Sequence, residues 1–211
     1  MGYSMNNIGN VHYYKGDYDK ALDYYKRSLV VREKLGDKLG IGSVLGNIGI
    51  AHVYKGDYDT ALDYFGRSLV IQEELGDKHG MVGSLHSIGV VHANKGDYEK
   101  ATGYLEKSLA IHKEISFFKS ELPNTTYLYV SYKHLGKDYD VNEIHSLIKD
   151  AEDIEFEVNF RLYELIEDTS YLESAYSQIQ ENASAMEKEL AEKLLSYPIP
   201  KKIVEEWEKV K

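Results

Sequence analysis

Between residues 43 and 54 the apolar positions Leu45, Ile48 and Ala51, with His52 beside them, fall three or four residues apart. That spacing draws one face of a helix. Lys55-Gly56 ends it, because glycine accepts the left-handed backbone that closes a helix. Asp57 then stands where an N-cap is needed, and Asp59 falls in the positive first turn of a second helix. The second helix carries Tyr58, Ala61, Leu62, Phe65, Leu69 and Ile71 toward its neighbours and stops at Leu75-Gly76, with Asp77 placed to cap the next one. The pattern predicts an antiparallel helical pair with tight turns. Such a pair cannot bury its apolar face alone and must stack on others like it.

Others like it are present. A shift of 40 residues brings Asn7-Ile8-Gly9 onto Asn47-Ile48-Gly49 and Ser87-Ile88-Gly89, and Lys15-Gly16-Asp17-Tyr18 onto the same four residues at 55–58 and 95–98. Ala21 aligns with Ala61 and Ala101, and Ser28-Leu29 with Ser68-Leu69 and Ser108-Leu109. Residues 1–40 and 41–80 are identical at 25 of 40 positions, a fixed period that signifies a solenoid and not a globular enzyme.

These residues resemble the tetratricopeptide repeat (TPR) pattern. Ile48 and Gly49 match the family's Leu-Gly pair, Gly56 and Tyr58 its turn, and Ala61, Phe65 and Ser68 its small-large-small packing positions. The family's usual period is about 34 residues. Here the second helix of each pair runs on through Ile71-Gln72-Glu73-Glu74-Leu75, giving the 40-residue form. That form resembles the repeats of kinesin light chains, of spindle-orientation adaptors that carry GoLoco motifs, and of many bacterial and archaeal regulatory proteins. The resemblance implies an all-α chain: a right-handed α-solenoid of antiparallel helix pairs with a C-terminal helical cap.

The regular units are expected over residues 1–119, a degenerate fourth unit over 120–153, and an acidic helical extension over 154–211. In the fourth unit Leu128, Tyr132 and Gly136 keep the frame, but Tyr129 replaces the packing glycine and Lys137 is inserted before Asp138-Tyr139. The linker Ser116-Phe117-Phe118-Lys119-Ser120-Glu121-Leu122-Pro123 departs from the earlier ones, and its proline keeps the preceding helix from running straight on. Farther on, Phe156 to Ile166 and Tyr171 to Ile179 suggest another helical pair. Ala183 to Leu195 suggests a helix stopped by Tyr197-Pro198-Ile199-Pro200, and Lys201 to Val210 a last one with the single Trp207. Residues 120–211 are read mainly as the atypical terminal unit that repeat arrays need. At the other end the first unit has no such cap, so its edge residues Ile8 and Leu22 are expected to be covered by another molecule or by more of a longer array.

Charge narrows the partners. Residues 1–119 carry 15 acidic and 15 basic side chains; residues 120–211 carry 20 and 10, which accounts for the net −10. Nucleic-acid binding needs clustered lysine and arginine, so it is not expected. No run of 18 apolar residues predicts a membrane span. With zero cysteines and no secretory pattern at the N-terminus, a cytoplasmic location is expected.

The catalytic patterns are missing: no Gly-rich phosphate loop, no His-Glu-x-x-His pair and no cysteine nucleophile. A non-catalytic chain without cofactor or metal is expected. His12, His52 and His92 recur one per repeat. Equivalent atoms in stacked units are separated by roughly 8–10 Å, whereas zinc holds its nitrogens at about 2.1 Å, so they are read as packing residues.

The resemblance places a ligand groove on the first helix of each unit. Its positions map onto Asn6, Asn10, Tyr13 and Tyr14, onto Gly46, Ile50, Val53 and Tyr54, and onto His86, Val90, Ala93 and Asn94. Asn7 and Asn47, one repeat apart, have primary amides that both donate and accept, which suits a peptide backbone. The adaptors place asparagine after Leu-Gly in successive repeats, with arginines nearby. Here Asn10 fits, Ile50 and Val90 do not, and the arginines are absent, so a moderately apolar or mixed segment is expected over a highly charged one. The expected function is a scaffold that holds a protein or peptide in this groove. The rival is a self-assembly or regulatory module that stacks through its N-terminal edge, as a homodimer or within a larger sensor protein.

Overall fold

The computed structural model describes residues 2–115 and 121–211. Six helices form the three regular pairs: α1 (Gly2–Tyr14) with α2 (Tyr18–Leu35), α3 (Lys38–Lys55) with α4 (Tyr58–Leu75), and α5 (Lys78–Asn94) with α6 (Tyr98–Glu114). Then follow α7 (Leu122–Leu135), α8 (Val141–Lys149), α9 (Phe156–Ile166), α10 (Thr169–Ser184), α11 (Lys188–Ser196) and α12 (Pro198–Val210). Each helix of the regular pairs packs on the one before it and the one after, so the fold is an all-α solenoid. Among the described residues none is in a strand, and no helix is long and apolar enough to cross a membrane. Of the expected linker over 116–123, residues 116–120 lie outside the described residues, and Leu122 and Pro123 form the first turn of α7.

Repeated local chemistry sets the helix boundaries. Gly56 adopts φ 80° and its N–H reaches back to carbonyls of α3, while Asp57 begins α4. Asp37 and Asp77 accept a backbone N–H three residues on, from Gly40 and Gly80. The lead-in to α3 is therefore helical from Lys38, five residues before the predicted start at Ser43. A capping aspartate outweighs the weak propensity of Gly40 and Gly42.

Close approach between helices depends on small residues at fixed places. A methyl group on Gly49 would lie 2.6 Å from the Phe65 ring, and one on Gly9 2.5 Å from Tyr25. Ser28, Ser68 and Ser108 are fully buried and donate to the carbonyls of Gly2, Gly42 and Val82 at 2.8, 2.8 and 2.9 Å. The period seen in the sequence is thus a period of identical contacts.

Two C-terminal expectations change. The helix predicted over 183–195 is broken at Ala185–Glu187, so that Ser184 ends α10 and Lys188 begins α11. Tyr197-Pro198-Ile199-Pro200 starts α12 instead of only stopping its predecessor, because proline suits the first turn, where no N–H is needed. At the end of α9, Glu167 takes φ 65° without being glycine. Lys133 of α7 supports that turn, donating to the carbonyls of Glu164 and Leu165 and pairing with the Glu167 carboxylate at 2.7 Å. A cation on the open carbonyl end of a helix is favourable, and here it fixes α9 against the array.

Candidate functional site

The first helices of successive units deliver one stripe of side chains to the concave side. Asn10, Tyr13 and Tyr14 come from α1, Asn47, Ile50, Val53 and Tyr54 from α3, and His86, Val90 and Asn94 from α5. These ten predicted residues line a single cavity of about 470 Å³ together with Tyr127 of α7. The remaining two lie outside it. Asn6 accepts a 3.0 Å hydrogen bond from Asn47, and Asn7 is exposed. Of the neighbouring positions, Ala93 is in the core.

Several of these groups already have partners. The Asn10 carbonyl oxygen accepts from the Tyr25 hydroxyl at 2.8 Å. The Asn94 carbonyl oxygen accepts from Arg161 at 2.6 Å, while its Nδ2 is buried without a partner. Asn47 spends one N–H on Asn6, so its amide is only partly available to a ligand.

The opposite wall comes from the C-terminal extension, which no repeat alignment reaches. Glu155, Glu157 and Ile199 line the same cavity. A second cavity of about 530 Å³ adjoins it, bounded by Tyr13, Tyr14, Tyr18 and Tyr54 on one side and by Asp153, Glu155 and Glu181 on the other. These helices do more than cover the last repeat. They curl back over the turn ends of the first helices of all three regular pairs. Arg161 of α9 reaches Asn94, Pro198 lies against Gly56, Met186 lies against Gly16, and Lys193 pairs with Asp19. The Tyr197 ring sits 5.1 Å from Tyr18, in one apolar cluster with Ala183 and Leu194. Hydrogen bonds from Lys193 and Lys55 hold the Asp19 carboxyl down to about 2.

Burial dominates the electrostatics. It pushes the Glu157 carboxyl up to about 7; a hydrogen bond with Tyr54 pulls the other way, the neighbouring Glu155 adds to the rise, and Arg161 opposes it. Burial likewise raises the hydroxyls of Tyr13 and Tyr54 well above the usual tyrosine range, so both stay neutral donors.

The repeated histidines sit elsewhere. His12, His52 and His92 stack on Tyr24, Tyr64 and Tyr104 with ring centroids 5.5, 5.7 and 5.7 Å apart. Each also approaches the aspartate that follows its turn, at 4.0, 3.2 and 3.4 Å. They brace each pair internally. Among the described residues no group of three His, Asp or Glu is arranged to hold a metal ion.

The tetratricopeptide repeat family model matches residues 1–74 and 54–114. No curated protein sequence matches the chain. Among solved structures, the apo form of RapI superposes with a TM-score of 0.69 at 17% identity, covering 99% of this chain. The chain spans 65% of the RapI chain's length. The nearly identical TPR-like repeats of a kinesin light chain candidate from Podosopora anserina give 0.56 at 16% identity, covering 97% of this chain and 95% of that one. A thermophilic TPR protein of Thermus thermophilus gives 0.54 at 19%, covering 93% and 98%. At these identities the likeness concerns the fold.

Proposed function

Because this chain belongs to the tetratricopeptide repeat family, we propose that it is a non-catalytic scaffold that holds a protein or peptide segment on its concave face. The segment enters the cleft between the first helices of the repeats and the C-terminal helices. The observation that carries this reading is the convergence of Ile50, Val53, Tyr54, Val90 and Asn94, from successive repeats, on one cavity. Apolar area with a few amides suits a mixed segment: the aliphatic positions supply burial and the amides fix the backbone. The same reading divides the chain into regular units over 1–119, a degenerate unit over 120–153 and an extension over 154–211 that walls the groove, and places it in the cytoplasm.

The test is a selection of phage-displayed random heptapeptides on the intact chain. The selected peptides are then titrated against the Ile50→Ala and Tyr54→Ala variants. We expect binding at least about tenfold weaker, the scale of about 1.4 kcal/mol, with helicity unchanged by circular dichroism. Unaltered affinity for both variants would remove the groove from the account.

A second reading has an observation of its own. On α1, Ile8 and Val11 are 41% and 52% exposed. That apolar stripe supports stacking through the first repeat, as a homodimer or within a larger regulatory assembly. Leu22, which the sequence offers as another edge residue, is 5% exposed and belongs to the core. A concentration-dependent dimer in light scattering, abolished by Ile8→Glu, supports this reading; a monomer at every concentration rejects it.

A further inference from the structure

The turn ends of the first two repeats gather tyrosines. Tyr13 has its ring centroid 5.4 Å from Tyr14, 5.6 Å from Tyr18 and 5.4 Å from Tyr54, and Tyr18 lies 5.2 Å from Tyr54. The rings form one continuous aromatic wall shared by the two adjoining cavities. Facing it are carboxylates from the chain between α8 and α9 and from the first turn of α9. Glu155 lines both cavities, Glu157 the first, and Asp153 the second, where Glu181 of α10 joins them.

Two properties separate this cleft from an ordinary solvated acidic face. First, among the described residues no lysine or arginine lines either cavity and none of the four carboxylates has an ion-pair partner. Arg161, whose charge already partly favours the ionised Glu157, makes its own ion pair with Glu164 and a hydrogen bond to Asn94. Second, Glu157 is half-buried in the cavity that Tyr54 lines, with Glu155 as a like-charged neighbour, and this partial burial raises its carboxyl. A buried carboxylate without a paired cation costs free energy, and a cation brought beside it removes that cost. The electron-rich faces of tyrosine attract the same charge when it comes within about 6 Å of the ring centre.

We propose that this tyrosine–carboxylate cleft recognises an alkylammonium or guanidinium group, supplied by a lysine or arginine of the bound segment. The inference rests on the concave-face reading above and sharpens it: the segment is mixed, with one basic side chain anchored at the turn ends and its apolar part on Ile50, Val53 and Val90. A free polyamine carries the same chemistry and is the other source of the group.

The experiment has two arms on the intact chain. In the first, phage-displayed random heptapeptides are selected on the protein and on a Glu155→Gln/Glu157→Gln variant. In the second, 1,4-diaminobutane and its neutral isostere 1,4-butanediol are titrated while the tyrosine ring signals are followed by NMR. We expect peptides with lysine or arginine fixed at one position, loss of that preference in the variant, and a saturable response to the diamine but not the diol, weakened at least tenfold by the two substitutions. Peptides with no basic preference, or with one the variant retains, overturn the cation site while leaving the groove reading intact. A saturable diamine response without selected peptides keeps the cation site, with a polyamine as its ligand, and removes the peptide scaffold. Failure of both arms removes both. The single variant Glu155→Gln, at an exposed position, keeps the test decisive if the double variant is poorly folded.

Discussion

Glu157→Gln is predicted to stabilise the protein above neutral pH. The wild-type carboxyl moves from an ordinary value of 4.5 to about 7, chiefly through burial. Between those two values the folded chain holds a proton that the unfolded chain has released. Stability therefore falls as pH rises through this window and levels off above it. A gap of about 2.5 pH units at about 1.4 kcal/mol each amounts to about 3 kcal/mol. Glutamine keeps an acceptor for the Tyr54 hydroxyl and carries no charge, so the variant avoids the cost. The assay is urea unfolding of both proteins at half-unit steps from pH 4.5 to 8.5. The two stabilities are expected to be close at the acid end and to separate by up to about 3 kcal/mol at pH 8, the variant being the more stable. Burial pushes His92 below its ordinary 6.5, so it acts in the opposite sense, removing stability as pH falls through the acid range. His92 is present in both proteins, and the difference between the curves cancels it. Parallel curves across the whole range would refute the reasoning, because they would mean that Glu157 ionises as freely in the folded chain as in the unfolded one.

Glycines of adjacent helices should respond in opposite directions to alanine. Gly49→Ala forces a methyl to 2.6 Å from the ring of Phe65, a residue only 1% exposed that has nowhere to move, and should cost about 1–3 kcal/mol. Gly66→Ala, inside α4 with nothing within 4 Å, should gain about 0.5–1 kcal/mol, and thermal melts of the two variants check the sign. Ser68 donates to the Gly42 carbonyl at 2.8 Å and accepts from Gln72 at 3.0 Å, whereas Ser28 makes only the first of these bonds. Denaturant unfolding should show Ser68→Ala losing roughly 1–3 kcal/mol, more than Ser28→Ala, since each leaves buried groups unsatisfied.

The parts of the molecule that repeat were readable in advance, for a physical reason. A stack of like units reproduces the same contact at each period, so Gly9, Gly49 and Gly89, or Ser28, Ser68 and Ser108, announce their packing role by recurrence. The concave positions followed from the same register, which is why Ile50, Tyr54 and Asn94 meet at one cavity. What escaped was whatever depends on the part that does not recur. Glu155 and Glu157 face residues of α1 and α3 far back along the chain, and no spacing rule connects them. The acidity of the C-terminal half was visible, but its place was not. Asn6 shows a different limit, because its periodic partner position holds Gly46 and its amide turned to Asn47 instead of the groove. At Pro198 and Pro200 the residue type was ambiguous, since proline both ends one helix and opens the next.

The bond between Lys193 and Asp19 spans 174 residues of sequence, and it changes the kind of polymer this array is. An open solenoid behaves as a row of near-neighbour couplings: units fray from the ends and folding can begin anywhere. Here the first turn is fastened to α11 and the second to α12, so melting the first units also breaks their contacts with the C-terminal helices. The row gains a ring-like coupling between its two ends, which opposes graded loss from the first unit. Its last step joins segments that are remote along the chain, and the loop entropy of that step slows folding relative to an unfastened array of the same length.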